Sequence, residues 1–304
     1  MIPYSPVQIL FFFFCYCFLG WIIESSWVSA HQHKFINRGF MRGPFIPIYG
    51  FGATALFVVG TLLIKWPVAV FFGGLLAASV LEFFTGMAME AIFKVRYWDY
   101  SDKPFNIKGH VCLFTSVCWG LLAVLEVYFI HKPIEALSNF FTSTELELIT
   151  FGITVYFACD LSLSFKAAFD LRDIIIKMEE VKDDLRIMQK RLDVILAYAK
   201  EDTGDFFEEK IDRAEDIADS IDAKLDILKA KIEAESIEHV ENIMEEFEEF
   251  KEKLQAHRFN HFGFTEFKDM HKRGMLLGNP TMVSKRFKSN VEQLKEYVEN
   301  KRKK

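Results

Sequence analysis

Apolar residues run almost unbroken through five stretches of the first 168 positions, and then switch to a spacing of three and four. The first pattern predicts membrane spans at about 7–29, 45–64, 67–93, 111–131 and 147–168, each near the 20 or so apolar residues a crossing needs. Only Lys65-Trp66-Pro67 separates the second from the third, so those two form a tight hairpin. The third would be about 40 Å long and must tilt or protrude.

The second pattern predicts a coiled-coil seam through Leu171, Ile174, Met178, Val181, Leu185, Met188, Leu192 and Ile195. It breaks at Asp202-Thr203-Gly204-Asp205 and resumes through Ile211, Ala214, Ala218, Ile221, Leu225, Leu228 and Ile232. The register slips near Ser236 before Val240, Met244 and Phe247. A helical hairpin continuing from the fifth span is the simplest reading, with the terminal segment, a second subunit or a partner covering what it leaves exposed. A short amphipathic helix over about 284–300 ends in a basic tetrapeptide. The fold class is therefore all-α: a polytopic membrane bundle of about five helices, then a cytoplasmic helical hairpin or coiled coil. The domains divide as 1–168 and 169–304.

Charge sharpens that division. Residues 1–168 hold ten basic and ten acidic side chains, which leaves 26 basic and 32 acidic for the remainder and puts the net charge of −6 there. No basic patch suggests nucleic-acid binding. All five cysteines lie in apolar runs and read as reduced packing residues. No Lys or Arg precedes the first apolar run, so it is expected to be an uncleaved span despite Val28-Ser29-Ala30.

Basic residues in the short loops set the orientation. Lys34, Arg38, Arg42, Lys94, Arg96, Lys103 and Lys108 share a side with the tail, against Lys65 and Lys132 on the other. The N-terminus is expected outside and the C-terminal region in the cytoplasm of a cell-membrane protein.

On that orientation Glu24, Glu82, Glu90 and Asp160 fall in the cytoplasmic half of their spans, with Glu126 toward the outside. Ionisable groups there are costly and usually face a cavity or a partner. Glu82, Gly86 and Glu90 share one helix face. With Arg38, Arg42 and Arg96 these acids form a candidate polar vestibule open to the cytoplasm. Pairing of Glu24 and Glu90 with those arginines, or plain snorkelling, is the alternative.

Two loops stand out on the same side. The first, Asn37-Arg38-Gly39-Phe40-Met41-Arg42-Gly43-Pro44, runs into Pro47, Tyr49 and Gly50. Backbone that irregular at the membrane edge needs protein or water to satisfy it. The second, Arg96 to Gly109, mixes Trp98 and Tyr100 with the turn formers Asp99, Pro104, Asn106 and Gly109. Trp98, Tyr97 and Tyr100 also suit interface anchors.

These motifs, with Phe18-Leu19-Gly20-Trp21-Ile22-Ile23-Glu24, resemble the bacterial family of putative ABC-transporter type IV permeases over about residues 8–120. Gly278-Asn279-Pro280-Thr281-Met282 is similar to the family more weakly. The resemblance implies a permease subunit whose ATPase is a separate chain. It carries over Glu24, Arg38, Gly43, Pro44, Tyr49, Glu82, Trp98, Asp99 and Asn106 as motif positions without assigning chemistry to them.

The chain has no G-x-x-x-x-G-K-[ST] phosphate loop. His257, His261 and His271, or His31 and His33, lack the carboxylate or cysteine that would complete a metal site. No cofactor, metal or catalytic group is expected, and no enzyme. An intramembrane enzyme would need a nucleophile with a base, or a His-x-x-x-His within a span. Two readings stay open: a transport-related permease subunit, with a homo-oligomer completing the pathway, and a membrane-anchored scaffold or regulator that recruits a cytoplasmic partner through its coiled coil.

Overall fold

Serine and proline set where the membrane helices begin. In the computed structural model, which describes residues 4–198, 214–234 and 270–303 with Glu249 and Glu252, helix α1 spans Pro6–Gln32. Ser5 caps it: its Oγ accepts from the Gln8 N–H at 3.2 Å and its own N–H donates to Gln8 Oε1 at 3.0 Å. Helices α2 (Pro47–Leu63) and α3 (Pro67–Phe93) each open on a proline, whose missing N–H costs nothing in a first turn. Helix α4 (Leu113–Leu125) runs through a π segment, Glu126–Ile130, into α5 (His131–Phe140). Thr142 and Glu145 then exchange capping bonds to start α6, Ser143–Tyr198. Helices α7 (Ala214–Ala234), α8 (Met270–Gly278) and α9 (Lys288–Lys303) follow. No strand occurs among the described residues.

Four helical stretches are long and apolar enough to cross a membrane: Pro6–Gln32, Pro67–Phe93, Leu113–Phe140 and Ser143–Val194. Helix α2, with 17 residues and about 25 Å of rise, sits at the short limit for a crossing. The bundle is closed by small residues: Val70, Gly74, Ala78, Glu82 and Gly86 bury one face of α3 at intervals of four. That face packs on α4, where Ser79 donates to Ser116 at 2.7 Å. Phe72, Leu76, Phe84, Phe114, Phe129 and Phe151 are exposed, as a lipid-facing surface would have them.

The chain divides into two compact units, Met1–Asp170 with Met270–Lys285, and Leu171–Asp269 with Arg286–Lys304. The expected C-terminal domain 169–304 is thus interrupted, because 270–285 belongs with the membrane helices. Within the second unit α6 buries Leu171, Ile174, Met178, Leu185, Met188 and Leu192 as the spacing predicts. Lys182 is buried and Val181 is not, so the stripe passes through a charge where an apolar position was expected. Lys182 Nζ donates to Ser289 Oγ at 2.7 Å and Asn290 Oδ1 at 3.1 Å, and pairs with Glu179 at 3.4 Å. Helix α9 thereby covers α6, burying Val291, Leu294 and Val298. On α7, Ile217, Ala218, Ile221 and Leu225 are buried. Gln189 donates to Ser220 at 3.3 Å, and Lys224 pairs with Asp193. The Asp202–Asp205 break, the slip near Ser236, the Val240–Phe247 continuation, His257 and His261 lie outside the described residues.

Candidate functional site

The two irregular loops fold at the end of the first unit where α1 and α3 finish. His33 and Lys94, both left-handed, stop those helices. The first loop is tied down along its length. Its Asn37 accepts from Trp21 Nε1 and donates to the Arg42 carbonyl. The Arg38 N–H donates to Ser25 Oγ at 3.1 Å, and the Gly43 N–H to Asp160 Oδ2 at 2.8 Å. These bonds satisfy the backbone that an apolar surrounding would leave costly.

Arg38 makes the first ion pair of the site, 3.5 Å from Glu24. Its guanidinium also donates to Asn279 at 2.9 Å and Thr281 at 3.2 Å, both in the segment after α8. Tyr49 donates to the other oxygen of Glu24 at 3.0 Å. Its ring fits against α1 because residue 20 is glycine; a Cβ there would overlap the Tyr49 ring. The same ring lies 5.3 Å from that of Trp119, whose indole N–H donates to Glu82 Oε2 at 3.0 Å. Tyr100 donates to Glu82 Oε1 at 3.3 Å. Glu82, 5% exposed, therefore has a donor on each carboxylate oxygen and is satisfied without water. Burial first, then Glu82 and Glu24, raise the Tyr100 pKa, which keeps this hydroxyl a donor.

The second ion pair holds the second loop. Arg96 lies 2.8 Å from Glu90 and 3.1 Å from Asp99, and His110 lies 3.2 Å from the same Glu90 oxygen. Burial, followed by Arg96, lowers the His110 pKa, so neutral His110 donates from Nε2. Burial alone would raise Asp99, but the hydrogen bonds from Ser101 and Arg96 outweigh it and lower its pKa. Arg96 also pairs through its backbone with Val283, at 2.7 and 3.0 Å. The loop itself is wound round Asn106, which donates to the Ser101 and Lys103 carbonyls and accepts from Gly109. Gly109 has φ +77°, and a Cβ would strike Asp99, Ser101 and Arg96, so only glycine suits that turn. Trp98 donates to the His110 carbonyl at 2.9 Å, which gives it a structural tie beyond interface anchoring.

The structure thus brings Glu24, Arg38, Tyr49, Glu82 and Tyr100 into one network, and Glu90, Arg96 and Asp99 into another. Arg42 joins neither: its side chain is exposed and makes no ion pair among the described residues. Asp160 holds Gly43 rather than a basic group. Pro44 is a loop residue, and Pro47 starts α2. A cavity of about 200 Å³ is lined by Asn37, Gly39, Phe40, Met41, Arg42, Ser164, Gly274 and Met275. None of the four acids lines it. No cluster of His, Cys, Asp and Glu suited to a metal occurs among the described residues.

Sequence reasoning passed over Trp119, His110 and Ser25. An indole inside an apolar run is the one usable signal, since its N–H needs a partner once buried.

An apolar helical bundle with buried carboxylates and two ion-paired loops at one end defines an integral membrane protein. The family model described as "Putative ABC-transporter type IV" matches residues 11–165, just over half of the 304, and the chain belongs to that family. No curated protein and no solved structure matches the chain.

Proposed function

We propose that the chain is a permease subunit of a transporter whose ATPase is a separate polypeptide. The observation that carries this reading is Glu82, a carboxylate buried in an apolar bundle between Trp119 and Tyr100 and linked through Tyr49 to Glu24. A purely structural span has little use for such a group, because burying it costs energy that packing alone does not need to spend. The family description supports the same reading.

We count α2 as a fifth crossing, with the N-terminus outside and the Arg38 and Arg96 loops facing the cytoplasm. The bundle sits in the lipid bilayer of the cell membrane, a second copy completes the pathway, and no catalytic residue or cofactor takes part. The four acids, with Arg38 and Arg96, form the cytoplasmic mouth in this reading.

The second reading is a membrane-anchored scaffold. Its support is α6, which continues for 56 residues and carries a buried stripe beyond the apolar part. Purification from native membranes separates the two. Reproducible recovery of an ATPase subunit supports the permease; its reproducible absence, with a soluble partner bound to residues 171–269 instead, supports the scaffold.

A further inference from the structure

Where α1 begins, four aromatic rings surround one histidine. The Phe12 and Phe57 centroids lie 5.1 and 4.9 Å from that of His131, with Tyr4 at 5.6 Å and Tyr16 stacked at 6.4 Å. Both ring nitrogens are hydrogen-bonded. Nδ1 lies 3.0 Å from the Tyr16 hydroxyl, and Nε2 lies 3.2 Å from the Tyr4 hydroxyl. Tyr4 in turn donates to Glu135 Oε1 at 2.8 Å.

The protons in this chain can be assigned. Tyr4 has one hydroxyl proton, and it goes to Glu135. The Tyr4 oxygen therefore accepts from His131 Nε2–H. Neutral His131 then has a lone pair at Nδ1, which accepts from the Tyr16 O–H. The three bonds run in one direction, from buried Tyr16 to half-buried Glu135.

The helix is deformed at the same place. Glu126–Ile130 is a π segment, closed by the His131 N–H donating to the Glu126 carbonyl. Such bulges recur at functional sites. Glu126 is buried one π turn before His131 and is an electrostatic neighbour of Tyr16. Its carboxyl group has no hydrogen bond among the described residues. Phe57 of α2 stands against the imidazole, and the apolar cluster that holds Phe12 and Tyr16 takes Leu146 and Ile149 from α6. Cys15 is the other titratable neighbour.

We propose that His131, Tyr16, Tyr4, Glu126 and Glu135 form a proton-binding site at this end of the bundle. A proton from solution bonds to His131 Nδ1. The new N–H donates to the Tyr16 oxygen, so the Tyr16 hydroxyl proton turns away from the ring and finds Glu126 as its acceptor. The imidazolium is stabilised by Glu135 through Tyr4. No bond within Tyr16 breaks; its hydrogen bond moves from His131 to Glu126, across the π segment. The site is independent of whether the chain transports.

Magnetic resonance of ¹⁵N-histidine in the full chain, reconstituted in lipid nanodiscs, tests this. His131 is assigned by its loss in His131→Gln. The expected result is an Nε2–H tautomer at about pH 8 that becomes doubly protonated by about pH 5. Glu135→Gln should move the midpoint to lower pH by removing a negative partner. Infrared difference spectra should show the Tyr16 phenol band shifting with the same midpoint, lost in Tyr16→Phe and altered in Glu126→Gln. A His131 that stays neutral over this range would overturn the proposal. So would a titration that Glu135→Gln and Tyr16→Phe both leave unchanged.

Discussion

Arg38 and Asn279, 241 positions apart in the chain, are joined by a 2.9 Å hydrogen bond. The Asn279 amide is buried, and its NH₂ group donates to the Gly39 and Met275 carbonyls, each at 2.9 Å. One side chain therefore fastens the first loop to the end of α8. Asn279→Ala removes three hydrogen bonds and should cost about 2–3 kcal/mol at roughly 1 kcal/mol each. Asn279→Asp keeps an acceptor for Arg38 but replaces the two donors with an oxygen facing carbonyls. It should destabilise as much as alanine, despite the added charge attraction. Thermal unfolding in detergent measures both; an aspartate variant as stable as the native chain would show that the ion pair alone holds the loop.

Glu82 and Trp119 should be energetically coupled. Glutamine at position 82 offers one carbonyl to two donors, so either Trp119 or Tyr100 loses its partner. Glu82→Gln and Trp119→Phe are each expected to cost about 1–3 kcal/mol. The double variant should cost less than their sum by about 1 kcal/mol, because the interaction can be lost only once. Strict additivity would mean the 3.0 Å contact contributes nothing.

How much of this was readable beforehand depended on distance along the chain. Pro47 and Pro67 start helices where the apolar pattern placed them, since a proline's effect is local. The four-residue spacing of Glu82, Gly86 and Glu90 put them on one face, and all three meet the second loop or its neighbours. Charge and depth offered Glu24 as a partner for Arg38, and the two are paired; Asn279 was not readable, because nothing near it advertises a contact so far away. Charge alone grouped Arg42 with Arg38; only the fold shows that Asn37 takes the Arg42 carbonyl and leaves its side chain outside. Lys182 was missed for a related reason. A periodic stripe predicts apolar residues, and Ser289 and Asn290 make the exception possible from a helix over 100 positions later.

Acid should loosen the Arg96 loop in two stages. His110 has a pKa below its ordinary 6.5 because burial, then Arg96, disfavours the imidazolium. As pH falls below about 6.5 the unfolded chain takes up this proton before the folded one, so stability is lost from there down to the folded value. Asp99 is also depressed, below 3.8, so its contribution is present above that pH and disappears only as pH falls through the lower folded value. His110→Asn should remove the first stage and leave the second. Unfolding midpoints at a series of pH values check this; the same loss below pH 6.5 in the His110→Asn chain would assign it to another group.

The loop orientation is open to labelling. Lys103 is exposed in the second loop. In a cysteine-free background, Lys103→Cys should react with an impermeant maleimide only after the cells are permeabilised, while Lys65→Cys reacts in intact cells. The reverse order would invert the topology proposed for every helix.

Where the chain is cut should matter more than how much is removed. Residues 270–285 belong to the membrane unit and supply Asn279 and Thr281 to Arg38, Thr281 to the Tyr97 carbonyl, Val283 to Arg96 and Ser284 to the Lys94 carbonyl. Deleting everything after residue 170 therefore does not isolate an intact membrane half. A chain ended at 285 loses α9, whose contacts with Lys182 and Ile175 lie in the other unit. It should keep both loops protected. A chain ended at 269 loses these four partners of the loops and should expose them. Trypsin cleavage at Arg38, Arg42 and Arg96 should then rise by about tenfold or more, as about 2 kcal/mol of lost protection implies. Adding a peptide of residues 270–285 should reverse it in part. Equal protection in the two truncated chains would show that the loops stand without the returning segment, and that the Arg38–Asn279 bond is a consequence of their fold and not a cause.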